Sequence, residues 1–255
     1  MNPGKFTFNS FLTGHNIRIS PEVKHSCLEG LKIMRKSRDQ MHDDRHVLGI
    51  LKNLGKFMDE SREINWSKIN YELLLLSICW HDVWKSGRVL NSGHKALYHQ
   101  FYEGLGSMRV FGKLTKYHSL DKKLVRKVKY SIRKHSMFQF LPTRNTETKI
   151  LKDLDRLEEW SIPRLRWALG AISDWHTMSP RLVNVGKFYF EHWMLPRHTK
   201  KNYFQWTTGR INFKKPAYSR EVRRLLHEFA RKNFNLLPRP SLSIERQTIY
   251  PESEE

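Results

Sequence analysis

Cysteine is scarce in this sequence, with only two residues in a chain of 255. Cys27 and Cys79 lie far apart within apolar patterns, so we interpret them as buried free thiols and exclude a disulfide framework. Long apolar runs are also missing, because no stretch approaches the roughly eighteen residues that a membrane-spanning helix needs. Residues 1–20 lack the apolar segment of a signal peptide. We therefore predict a cytoplasmic protein without a transmembrane segment.

Acidic residues are few relative to basic ones. The chain has 25 Asp and Glu against 46 Lys and Arg, a formal net charge of +21. Such a balance favours a polyanionic partner: nucleic acid, a nucleotide or an anionic membrane. A generally solvated basic surface is the alternative. Eight Trp and fourteen Phe within a hydrophobic fraction of 39% are enough for a core, which argues against wholesale disorder.

No stretch alternates apolar and polar residues for long enough to indicate a β-strand, so we predict an all-α fold. Residues 1–19 are expected to be a loosely held arm, and 83–105 a loop with a short helix. Helical periodicity is found in the other segments, which begin near residues 21, 42, 69, 120, 146 and 219. We predict a helical domain over 1–195 and a basic aromatic extension over 196–255, ending in a poorly ordered tail.

The most informative segment is 73–82, LLLLSICWHD. It is an apolar helical run that ends in an adjacent imidazole and carboxylate, His81 and Asp82. Burial of these two groups without a partner would cost several kcal/mol, and a shared metal ion is one economical partner. His46 lies on the apolar stripe of the preceding segment, and Asp155 stands one turn after Leu151 on a later stripe.

Three segments together resemble the signatures of the HD-domain metal-dependent phosphohydrolases. They are 41–47 (MHDDRHV), 76–83 (LSICWHDV) and 149–157 (KILKDLDRL). A lone His-Asp pair carries no weight, since His42-Asp43 is a second one in this chain. The resemblance is specific because three signatures occur in the family's order, each within an apolar helical segment. It covers about residues 40 to 170.

The resemblance implies an HD-domain helical bundle in which His46, His81, Asp82 and Asp155 bind a divalent metal ion. His46 is preferred to His42 because it begins the apolar stripe and precedes a valine, as in the family. Asp155 is preferred to Asp153 because a basic residue and leucine follow it. Imidazole and carboxylate ligands suit Mn, Fe, Co, Zn or Mg and leave the ion's identity open.

A metal-activated water attacking a phosphate ester is the chemistry that this resemblance implies. Lys85 follows the His-Asp pair at the family's offset, where it could contact a scissile phosphate or be a solvated cation at a helix end. Trp84 departs from the glycine that usually precedes that lysine. His99 and His135 are similar to histidines that bind a second metal or the phosphate in binuclear members, although His94 competes with His99.

The substrate stays open. Residues 84–87 (WKSG) lack the Glu-Asp pair of alarmone hydrolases, and the additional signature of cyclic-dinucleotide phosphodiesterases is absent. We therefore predict a phosphohydrolase that acts on a nucleotide, a nucleic-acid end or another phosphate ester.

The extension offers a second interpretation. Cations and aromatics alternate in it, and they could bind a phosphate backbone and stack on unpaired bases. The residues expected to do so are Lys200, Lys201, Tyr203, Trp206 and Arg210. The same aromatics could instead pack the last helix onto the domain. The alternative function is therefore a basic nucleic-acid-binding protein on an HD-type fold with little or no catalysis.

Overall fold

The computed structural model describes residues 6–38, 42–60, 64–88, 93–136 and 143–159, and a few later positions, namely 161, 165–166, 184, 187–188, 224–226, 228–229 and 231–232. Within these residues all regular structure is helical and no strand occurs, which confirms the all-α prediction. The helices are α1 (Phe8–Gly14), α2 (Pro21–Arg35), α3 (Asp44–Glu60), α4 (Tyr71–Trp80), α5 (Gly93–Leu114), α6 (Lys122–His135) and α7 (Thr146–Glu159). All seven belong to one compact unit.

Helix α4 is the centre of this unit. Every residue from Leu73 to Trp80 is buried, and the helix packs against α2, α3, α5, α6 and α7. Burial of a leucine side chain stabilises the fold by about 1.5–3 kcal/mol, so the leucine run of α4 holds the bundle together. Its first turn is capped by Asn70, whose side-chain oxygen accepts a hydrogen bond from the Leu73 amide.

Helices α2 and α4 approach each other closely. A Cβ atom on Gly30 would lie 2.7 Å from the Cys79 carbonyl oxygen, so only glycine fits at this crossing. The Trp80 indole nitrogen donates a hydrogen bond of 3.0 Å to the Ser26 carbonyl oxygen. Cys27 and Cys79 are buried free thiols, as predicted.

The prediction of a loose arm over residues 1–19 is wrong for the described residues 6–19. Residues 8–14 form helix α1, which begins with a capping box between Thr7 and Ser10. Phe8, Phe11 and Leu12 recur at helical spacing and are buried in the core, and this burial holds the segment.

The prediction of a loop with a short helix over 83–105 is wrong in the length of the helix. After a short 3-10 turn at Lys85–Gly87, helix α5 runs from Gly93 to Leu114. Gly104, Gly106 and Gly112 are contact positions within the helix: a Cβ atom on Gly104 would lie 2.7 Å from the Arg133 carbonyl oxygen of α6. The glycines therefore permit close helix packing at a modest cost in helix propensity.

The other predicted helices are confirmed as α2, α3, α4, α6 and α7. The described positions between 224 and 232 are helical too, with Leu226 and Phe229 buried. Among the described helices, none combines the length and the apolar character needed to cross a membrane. The boundary at residue 195 and the tail after residue 236 lie outside the described residues and stay predictions.

Candidate metal centre

Four polar side chains come together beside the end of α4. His46 lies in the first turn of α3, His81 caps the C-terminus of α4, Asp82 follows it, and Asp155 lies in α7. The apolar stripes of α3 and α7 face the core. His46 and Asp155 lie on those stripes, so their side chains point into the core as well. Both histidine side chains are 0% exposed.

The distances describe a single cluster. One donor atom from each of His46, His81, Asp82 and Asp155 lies within 4.8 Å of all the others. The His46 Nε2 atom is 3.2 Å from His81 Nε2 and 3.1 Å from Asp155 Oδ1. His81 Nε2 is 3.3 Å from Asp82 Oδ2. The structure therefore brings together all four residues that the sequence predicted as metal ligands.

The second nitrogen of each histidine fixes which nitrogen faces the cluster. His81 Nδ1 donates a hydrogen bond of 2.8 Å to the Ile78 carbonyl oxygen, and a carbonyl can only accept. His46 Nδ1 lies 2.5 Å from Glu158 Oε2. Each Nε2 atom is thus left facing the cluster, in the arrangement that orients metal-binding histidines.

Glu158 reaches His46 because Gly49 leaves room for it. Gly49 lies one turn after His46 on α3, and a Cβ atom there would be 2.7 Å from both Cγ and Oε1 of Glu158. The carboxylate is buried. An alanine at position 49 would occupy the space through which this side chain approaches the imidazole.

The charged groups of the cluster shift one another's pKa values. Burial raises the pKa of Asp82, but Lys85 and then His81 lower it more, so the net shift is well below the usual value. Burial likewise opposes the lowered pKa of Asp155, which His81 and His46 produce. For His81, burial lowers the pKa, whereas Asp82 and Asp155 raise it well above its usual value. The carboxylates therefore attract positive charge to this point.

The donor set fits a divalent cation. The two imidazole nitrogens are 3.2 Å apart, a separation that suits two ligands each about 2.0–2.1 Å from one metal ion. Asp82 Oδ1 and Asp155 Oδ1 are buried and make no hydrogen bond, although each lies near a positively charged or imidazole nitrogen. These four residues could hold a metal ion, and mixed N and O ligands are compatible with several divalent ions.

A second group of polar side chains lies on the other side of Asp82. Lys85 is buried, and its Nζ atom is 3.4 Å from Asp82 Oδ1 and 3.0 Å from His42 Nε2. It also forms an ion pair with Glu103 of α5. His135, at the end of α6, places Nε2 3.6 Å from Asp82 Oδ1. Lys85 and His135 therefore adjoin the predicted ligands, and a contact with phosphate stays a prediction.

The remaining predicted site residues are placed differently. His99 is buried with its ring 5.0 Å from that of Trp84, and the side chain of His94 lies outside the described residues. Lys200, Lys201, Tyr203, Trp206 and Arg210 also lie outside the described residues, so their predicted contact with nucleic acid stays a prediction.

Two buried residues of this region, Glu103 and Glu158, were missed by sequence reasoning, and a third, His42, was not chosen as a ligand. Glu158 has a recognisable signal, since it stands one helical turn after Asp155 and so shares its face. His42 stands one turn before His46, where it was considered and set aside. Glu103 could not be placed from the sequence, because the segment around it was predicted as a loop with a short helix.

Comparison of the chain with models of known protein families, with curated proteins and with solved structures finds no match.

Proposed function

We propose that this chain is a metal-dependent phosphohydrolase of HD type, which cleaves a phosphate ester such as a nucleotide or a nucleic acid. The observation that carries the proposal is the convergence of His46, His81, Asp82 and Asp155 at one buried point. These residues come from three helical regions of the chain, in the order of the three signatures that resemble the family.

The fold is part of the proposal. Helices α3, α4 and α7 would be the ligand-bearing helices of an HD-domain bundle, with residues 196–255 as a basic extension. The contacts of α4 with α3 and α7 support this assignment, because they keep the three signatures adjacent. An all-helical unit alone would be compatible with many other functions.

His46, His81, Asp82 and Asp155 would hold the ion. When bound, a divalent ion supplies Lewis acidity, which lowers the pKa of water from 15.7 towards about 7 and draws charge from a phosphate oxygen. The chain's own part is to orient both imidazoles through Glu158 and the Ile78 carbonyl group.

The test combines metal analysis with a hydrolysis screen. The purified protein is assayed for bound metal and for hydrolysis of phosphate esters, nucleotides and oligonucleotides, with and without Mn²⁺. We expect Asp82→Ala to lose both bound metal and turnover. Asp59→Ala, at an exposed position of α3, is the matched control and should retain both. Hydrolysis retained by metal-depleted Asp82→Ala protein would exclude the proposal.

The second candidate function is nucleic-acid binding, and helix α6 supports it. Residues 122–135 (KKLVRKVKYSIRKH) contain seven Lys or Arg residues and no acidic residue. Lys122, Lys123, Arg126 and Lys127 are exposed, while Val128 and Ile132 are buried. A basic face of this kind suits a phosphate backbone.

This candidate predicts affinity for oligonucleotides that falls steeply with salt and does not change with a chelator. Replacement of Lys123 and Lys127 together by alanine should weaken binding and reduce the salt dependence by about two released counterions. Binding that ignores salt, or that the double variant leaves unchanged, would remove α6 as the binding surface.

A further inference from the structure

Lys85 is surrounded by atoms that usually bind metal ions. Its side chain is only 4% exposed. The ammonium group contacts a carboxylate of Glu103, the Nε2 atom of His42 at 3.0 Å and Asp82 Oδ1 at 3.4 Å. These three groups come from α5, the segment before α3 and the end of α4. An ammonium group therefore occupies a position with two carboxylates and an imidazole around it.

The carboxylate of Asp82 has a different neighbour on each oxygen. Oδ2 faces His81 at 3.3 Å and His46 at 3.6 Å, with His42 Nε2 at 3.7 Å. Oδ1 faces Lys85 at 3.4 Å and His135 Nε2 at 3.6 Å. The first oxygen thus belongs to the candidate metal centre and the second to the ammonium group. Such a carboxylate is placed to bridge two cations.

His135 is oriented for a cation as His81 is. Its Nδ1 atom lies 2.5 Å from the Ile132 carbonyl oxygen, so Nδ1 carries the proton and Nε2 faces Asp82. The groups next to Lys85 or to Asp82 Oδ1 therefore comprise two imidazole nitrogens and two carboxylates, from His42, His135, Asp82 and Glu103. That is the same donor composition as the first cluster.

We propose that the centre holds one divalent ion and that the Lys85 ammonium group takes the place of a second one across the Asp82 carboxylate. This inference rests on the proposed metal centre. The ammonium group neutralises Glu103 and the outer oxygen of Asp82, whose charges would otherwise be buried without compensation. Removal of the Lys85 side chain leaves the ligand atoms of Glu103, His42 and Asp82 around a vacated position, and a second ion occupies it.

The experiment measures metal stoichiometry in the full-length protein. Wild type, Lys85→Ala and the double variant Lys85→Ala/Glu103→Gln are loaded with Mn²⁺, desalted and analysed for Mn per chain and by electron paramagnetic resonance. We expect one ion with an uncoupled spectrum in wild type, and two ions with an exchange-coupled spectrum in Lys85→Ala. The double variant should return to one ion, because it loses a ligand of the second position. Lys52→Ala, at an exposed position of α3, is the control and should hold one ion.

Each outcome decides the inference. One ion in a folded Lys85→Ala protein overturns it and leaves the first centre intact, whereas two coupled ions in wild type also overturn it. No ion in any protein overturns the metal centre and this inference with it. If Lys85→Ala does not fold, the wild-type spectrum decides: a single uncoupled ion supports the inference, and a coupled pair refutes it.

Discussion

Replacement of Glu158 by glutamine tests whether this carboxylate tunes the candidate metal centre. The change keeps the shape of the side chain and removes its charge. Glu158 Oε2 lies 2.5 Å from His46 Nδ1, in the geometry of a charge-assisted hydrogen bond, which is worth about 1.5–3 kcal/mol. Loss of such an outer partner typically weakens metal binding by about 10- to 100-fold, which corresponds to roughly 1.4–2.8 kcal/mol. The free energy expected for the hydrogen bond therefore agrees with the free energy expected for the loss of metal affinity.

The assay is a competition titration of Mn²⁺ or Zn²⁺ between the protein and a chelating indicator. We expect the Kd of Glu158→Gln to rise by 10- to 100-fold while its circular dichroism spectrum stays that of wild type. Glu22→Gln, at an exposed position of α2, is the matched control and should bind as wild type does. A Kd of Glu158→Gln within twofold of that of wild type would refute the reasoning.

Three further predictions concern Gly49, the pH dependence and Gly30. Gly49→Ala should weaken metal binding by a similar factor, because its Cβ atom would lie 2.7 Å from the carboxylate side chain on α7; the same titration measures this. Unfolding of the metal-free protein should show a stability maximum between about pH 4 and pH 6.5. The lowered pKa values of Asp82 and Asp155 contribute stability that is lost as pH falls through the folded values. The raised pKa of His81 contributes stability that is lost as pH rises above about 6.5. Gly30→Ala should lower the free energy of unfolding by about 1–3 kcal/mol, measured by urea denaturation, because its Cβ atom would meet a backbone carbonyl of α4.

Contrary results are equally specific. Unchanged metal affinity in Gly49→Ala would show that the Glu158 carboxylate can move away from Gly49 without weakening metal binding. A stability of the metal-free protein that still rises between pH 7 and pH 9 would contradict the charge assignment at His81. An unchanged or raised stability of Gly30→Ala would mean that α2 and α4 separate easily.

Sequence periodicity predicted the helical segments that carry the candidate ligands, because one face of each is apolar. His46 and Asp155 share those faces with buried leucine, isoleucine and valine residues, so helical spacing alone points them inward. His81 and Asp82 follow a fully apolar run, and its burial brings them into the core. These signals are local and indicate that the four side chains are buried, whereas their choice as metal ligands followed from the resemblance to the HD-domain family.

The surroundings of the site depend on contacts that no local pattern contains. Glu103 lies within α5, which packs on α6, and from this helix it forms the ion pair with Lys85. Glycine lowers helix propensity, so the composition of this segment favoured a loop. The prediction for the N-terminal arm failed for a related reason. A short helix has little stability of its own, and α1 is stabilised by the burial of its apolar side chains in the core.

The central position of α4 has a consequence for how an ion would enter and leave. Residues 73–80 are buried on all sides, so this helix can neither slide nor rotate without opening a void in a close-packed interior. His81 and Asp82 are anchored to it and form the fixed half of the centre. Any widening of the coordination shell must then come from α3 or α7, and exchange of the ion should be as slow as the separation of those two helices.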